Sequence, residues 1–174
     1  MITRRTFMGT LGAATVQATR PVIADPVVPK KIAIVTTIWT YLSHAQHMGD
    51  RFLVGYPRNG RWHRPSLEVV SLYVDQKPEG DLSSQRASEH GFTLYPTIAE
   101  ALRCGGKKLA VDGVVIIGEH GNYPRNNKGQ ILYPRYEFFQ EAVRVFEEDN
   151  RAVPIFNDKH LSYSWKKAQR MVNE

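Results

Sequence analysis

Four of the six histidines in this chain sit just after short apolar runs, in company with carboxylates and a lysine. Ser43, His44 and His47 follow residues 31–36 (KIAIVT). Glu119 and His120 follow residues 111–118 (VDGVVIIG), and Asp158, Lys159 and His160 follow residues 153–157 (VPIFN). Imidazoles titrate near neutrality and carboxylates orient them, so such a group can move protons. Lys159 can polarise or protonate a carbonyl where burial lowers its basicity, and otherwise pairs with Asp158 on the surface. His44, His47, His120, Asp158 and His160 are also donors of the kind that hold zinc or iron with one position open to water. No HExxH or CxxC spacing accompanies them, so a hydrogen-bonded polar cluster at strand ends is the alternative. Ser43 lacks a nucleophile-elbow sequence, which argues against a serine hydrolase.

These groups can act together only if the apolar runs are neighbouring strands. The runs are short and rich in Val and Ile, which predicts strands covered on both faces. Further strands are expected at 68–75 (EVVSLYVD) and 92–95. Helices are expected at 41–56, 84–90 (closed by Gly91), from the capping box Thr97–Glu100 to Gly105, from Pro134 through the stripe Phe138, Phe139, Ala142, Val143 and Phe146, and from a cap at Ser162 onward. Residues 57–65 (PRNGRWHRP) and 123–133 are expected as loops. Alternation of this kind predicts an α/β fold with a mostly parallel five-stranded sheet and helices on both faces. Right-handed crossovers place the first run beside 111–118, and all the polar tails then meet at the carboxyl edge, where open α/β sheets bind ligands.

Bulk properties narrow the field further. The 174 residues and 42% apolar content suit one domain with a real core. Net charge is +6, but Arg4, Arg5 and Arg20 lie in a stretch expected to be a removable leader; without them 20 basic residues face 17 acidic ones. The remaining cations are scattered rather than striped, which argues against nucleic acid as a partner and for a small-molecule ligand. Cys104 is the single cysteine, so no intrachain disulfide forms, and it is expected as a buried, inert thiol.

The leader itself, Thr3-Arg4-Arg5-Thr6-Phe7-Met8 followed by a weakly apolar stretch, resembles a twin-arginine export signal over residues 1–24. The expected organisation is therefore an export signal, a linker at 25–30 and a folded domain at 31–174, with a periplasmic destination. The alternative is a basic tail. No stretch is long and apolar enough to span a bilayer.

From about residue 30 to the end, the order and spacing resemble the nucleotide-binding half of the Gfo/Idh/MocA family, the glucose–fructose oxidoreductase-like dehydrogenases. The carriers are RASEHGFTLYPTIAEAL (86–102) followed by VDGVVIIG, and Asp158-Lys159-His160 where the family has Glu-Lys-Pro. The resemblance implies a Rossmann-like three-layer fold, a sugar or polyol ligand, Lys159 and His120 as catalytic groups, and a cofactor lined by Thr36, Thr37, Asp75 and Glu119. Asp75 would take the ribose-binding position, and His44 falls where the family often has a histidine. Thr36, Ile38 and Tyr41 stand where the family's Gly-x-Gly-x-x-Gly turn would be, so NAD(P) is expected only with a degenerate turn. The family's second, α+β domain does not follow, so a fragment is expected whose homo-oligomer contacts run through the missing part.

The reading is thus an exported, oxidoreductase-like domain, not necessarily active. A metal-dependent enzyme built on the histidine–carboxylate edge and a non-catalytic ligand-binding module are the alternatives. Loop aromatics, among them Trp39, Tyr41, Trp62, Tyr123, Tyr133 and Tyr136, are candidates for a sugar-stacking surface or for packing loops onto the sheet.

Overall fold

The structure, a computed structural model, describes residues 28–174. The expected export signal lies outside the described residues.

Five strands form one sheet: β1 (Lys30–Thr36), β4 (Leu67–Val74), β5 (Thr93–Tyr95), β6 (Gly113–Ile117) and β7 (Ile155–Asn157). Their order is β5-β4-β1-β6-β7 and every pairing is parallel. The chain leaves β1 toward β4 and later returns to β6 on its other side, so the topological switch point lies between β1 and β6. This is the Rossmann-like arrangement expected from the alternation of runs.

Alternation along β1 sorts the core into two layers, since successive side chains point to opposite faces. Ala33 and Val35 join Val114 and Ile116 against Leu102, Phe138, Ala142 and Val145, which come from α3 (Ile98–Arg103) and α4 (Arg135–Asp149). Ile32 and Ile34 join Leu72, Val115 and Ile117 under α1 (His44–Leu53) and α2 (Ser83–His90). The last helix, α5 (Trp165–Asn173), lies against α4.

Local signals explain most boundaries. Thr97 Oγ1 accepts the Glu100 amide at 3.1 Å, the first half of the expected capping box. Ser164, rather than Ser162, caps α5; Ser162 Oγ instead accepts the Ser164 amide. The expected loop at 57–65 is a hairpin, β2 (Tyr56–Arg58) with β3 (Arg61–His63). Its turn is Asn59-Gly60, both at positive φ, the two-residue pattern that matches the twist of paired strands. Cys104 is half-buried at the left-handed cap of α3, not deep in the core.

Candidate functional site

The carboxyl ends of β1, β4, β6 and β7 bring the polar tails together. The turn after β1 is drawn in first. Thr36 and Thr37 are fully buried. Thr36 Oγ1 donates to the Ile117 carbonyl at 2.9 Å, and Thr37 Oγ1 donates to the Glu119 carbonyl at 2.6 Å. Both hydroxyls therefore tie β1 to the end of β6, where the family resemblance would have them line a cofactor.

His44, the first residue of α1, meets Asp158 from the loop after β7: Nδ1 stands 2.6 Å from Oδ2. Their side chains are 28% and 14% exposed, so water is partly excluded from the pair. Ser43 caps α1 by accepting the Gln46 amide, while the Gln46 side chain accepts from the Leu42 amide; the helix start that carries His44 is thereby fixed. The His120 ring lies edge-on to His44, with centroids 5.3 Å apart. His120 and Lys159 both hold φ at +67, left-handed backbone that few side chains adopt and that collects at functional loops.

Beside them stands a group that sequence reasoning missed. Arg135, 1% exposed, opens α4. Its guanidinium forms an ion pair with Glu119, lies 3.1 Å from His160 Nε2 and covers the Tyr133 ring. A cation at a helix amino terminus opposes the helix dipole, so Glu119 supplies the charge this position lacks. Gly118 makes room for it: a Cβ there would stand 2.6 Å from Arg135 Cγ. Partial burial of the His160 ring, followed by the neighbouring Arg135 cation, holds its imidazole below the ordinary value. The guanidinium can only donate, so His160 Nε2 accepts at this contact.

Over β4 the edge is strapped down. Asp75 accepts from the Tyr73 hydroxyl at 2.8 Å and the Tyr123 hydroxyl at 2.6 Å. Burial and this carboxylate push both phenols well above their usual range. The Gln76 amide bonds Asn122 twice, donating to its carbonyl at 3.2 Å and accepting its N–H at 2.9 Å. Both oxygens of Asp75, the residue matched to a ribose-binding position, thus hold tyrosines.

Among the described residues, no group of three His, Cys, Asp or Glu side chains assembles as a metal-ligand set. The alternative of a zinc or iron centre at His44, His47, His120, Asp158 and His160 is corrected by where these residues go. His47 faces solvent on α1, His160 faces Arg135, and His44 with Asp158 forms a hydrogen-bonded pair. Lys159 is exposed rather than buried, and Asp158 is paired with His44 rather than with Lys159.

The residues present do not fit a dinucleotide in the glycine-turn pose. That pose needs backbone N–H groups bare of side chains at the start of the first helix. Here Trp39 is fully buried, stacked near Phe92 at 6.3 Å and pressed on Gly49, whose missing Cβ leaves space for the indole. Trp39 is therefore core, and no part of a stacking surface. Amides of this turn are already committed: Thr37 N–H donates to the Ile117 carbonyl at 3.3 Å, Thr40 N–H to Ser43 Oγ at 3.1 Å, Leu42 N–H to Gln46 Oε1 at 2.6 Å and Ser43 N–H to the Thr40 carbonyl at 3.1 Å. The turn that would cradle a pyrophosphate is tied on both sides to its own chain.

No family model matches the chain, and no curated protein matches it. Among solved structures, it is similar to biliverdin reductase from Synechocystis sp. PCC 6803, crystallised with biliverdin and NADP+, at a TM-score of 0.49 and 13% identity. That match covers 85% of this chain and 35% of the reductase. The Rossmann-like class rests on the strand order and parallel register of this chain itself. Among the described residues no helix is long and apolar enough to cross a membrane.

Proposed function

We propose that the chain is an oxidoreductase-like Rossmann domain that binds a sugar- or polyol-type ligand at its carboxyl edge and carries a degenerate dinucleotide turn. The observation that supports it is the His44–Asp158 pair at the switch-point side of the sheet. A carboxylate on Nδ1 fixes the ring and favours the tautomer whose Nε2 accepts a proton, the arrangement that serves to take a proton from a hydroxyl. His44 Nε2 has no hydrogen-bond partner among the described residues. His120, beside it, offers a second imidazole to a neighbouring hydroxyl.

Hydride transfer would also need an acceptor, and the turn after β1 is closed to a nicotinamide dinucleotide in the usual pose. The edge therefore binds and orients its ligand without dehydrogenase turnover. The Arg4-Arg5 leader adds the proposal that this happens outside the cytoplasm, after export of the folded chain; loss of export in R4K/R5K tests that part.

The test is calorimetric titration of the full chain with D-glucose, myo-inositol, D-gluconate and NADPH. Binding of at least one polyhydroxylated compound that is lost in H44A and D158N, with no reduction by NADPH and no oxidation by NADP+ of any of them, is the expected result. NADPH binding with turnover, or polyol binding indifferent to both substitutions, would overturn it.

A further inference from the structure

A second candidate site lies between two loops that leave the same sheet edge, after β6 and after β7. One wall is the turn 126–130 in the segment between β6 and α4; the other is the start of α5. The groove between them has a volume of about 690 Å³, within the range of small-molecule sites.

Both walls are built in advance. Asn126 Oδ1 accepts the amides of Lys128 and Gln130, each at 3.0 Å, and Asn126 Nδ2 donates to Gln130 Oε1 at 2.9 Å. Arg125 closes the same turn by donating to the Gly129 carbonyl at 2.7 Å. Opposite, the Lys167 ammonium sits over the rings of Tyr136 and Tyr163, donates to the Tyr163 hydroxyl at 3.0 Å and pairs with Glu137. Tyr163 is thereby held in place. Walls ordered beforehand lower the entropic cost of taking up a ligand.

The groups left over have one chemical character. Trp165 is 80% exposed, and its indole N–H has no partner among the described residues. The side-chain amides of Asn127 and the –NH₂ of Gln130 are also uncommitted there, as are the ammonium groups of Lys128 and Lys166. No carboxylate lines the groove. A wide apolar ring flanked by amides and hydroxyls suits the alternating C–H faces and hydroxyls of a sugar. Two unpaired cations, with no carboxylate lining the groove, add a preference for negative charge.

We propose that this groove binds an acidic saccharide, with Trp165 stacking on a sugar ring and Lys128 and Lys166 taking its anionic groups. Nucleic acid is the less suited polyanion, because among the described residues only two unpaired cations, Lys128 and Lys166, line the groove. The proposal stands apart from the reading of the His44–Asp158 edge, which shares none of these residues.

The experiment is a titration of the isotope-labelled full chain with tetragalacturonate, following the indole N–H signals of Trp39, Trp62 and Trp165, the last assigned from W165F. The Trp165 signal is expected to move while that of Trp39 stays. Affinity is expected to fall at least tenfold in W165A and in K128Q/K166Q, which alter exposed positions and leave the remaining spectrum unchanged. An unmoved Trp165 signal at millimolar tetragalacturonate overturns the proposal. Equal affinity for neutral maltotetraose, or tighter binding of a single-stranded thymidine octamer, overturns it too.

Discussion

His44 and Asp158 lie 114 positions apart in the chain, yet Nδ1 of one stands 2.6 Å from Oδ2 of the other. Only the parallel stacking of β1, β6 and β7 brings them there: Asp158 directly follows β7, and His44 opens the helix that follows β1. A hydrogen-bonded pair of this kind, open in part to water and so partly screened, is worth about 1 kcal/mol net. A double-mutant cycle over H44A and D158N, read by denaturant unfolding, should return a coupling of about 1 kcal/mol. Additive single effects would mean that the pair does not form in solution.

Arg135 and Glu119 make a stronger claim. Removing one partner of a buried ion pair leaves the other charge uncompensated, at about 3–5 kcal/mol. Since Glu119 is partly open to water, E119Q is expected to cost toward the lower end, about 3 kcal/mol. R135M combined with E119Q should recover much of that loss, because the unpaired cation is then gone.

Gly49 tests the identity of the space behind the β1–α1 turn. A methyl there meets the Trp39 ring directly. G49A is expected to destabilise the fold by about 1–3 kcal/mol, the usual cost of overpacking a filled core. In combination with W39L the alanine should be tolerated.

His160 gives the fold a pH response whose sign follows from its environment. Its folded value lies below its unfolded one, so the unfolded chain binds the proton more readily. Stability is fully present above the ordinary histidine range and declines as pH falls from the unfolded value toward the depressed folded one. Melting temperatures between neutral pH and mildly acidic pH should fall in the wild type and fall less in H160Q.

Much of this architecture can be read along the chain, and the exceptions share a cause. Unbroken Val/Ile runs are the mark of doubly covered parallel strands, and from them the common edge of His44, Glu119, His120 and Asp158 followed. The capping box at Thr97 and the helix start at Pro134 are local signals and fall where expected. The Asn59-Gly60 hairpin was equally local, but lay inside a segment whose charge and prolines read as an irregular loop. Arg135 and Trp39 are different. An arginine after a proline reads as surface, and a tryptophan after a strand reads as loop; each is buried because a distant glycine, Gly118 or Gly49, vacates the space. The metal-ligand reading failed for the same reason: which partner each histidine takes is set by Arg135 and Asp158 across loops, and spacing within the sequence carries no record of it.

The central claim is that the carboxyl edge around His44 receives a hydroxylated ligand while the turn after β1 stays closed to a dinucleotide. Long-range proton–nitrogen spectra of the histidine rings, recorded with D-glucose, myo-inositol, D-gluconate and NADPH in turn, test it most directly. At least one of the three polyhydroxylated compounds should shift the His44 and His120 rings and leave His63 and His90, which lie on β3 and at the end of α2, unmoved. Silence at His44 and His120 with all three, or NADPH perturbing the backbone amides from Thr37 to Ser43, would contradict the account.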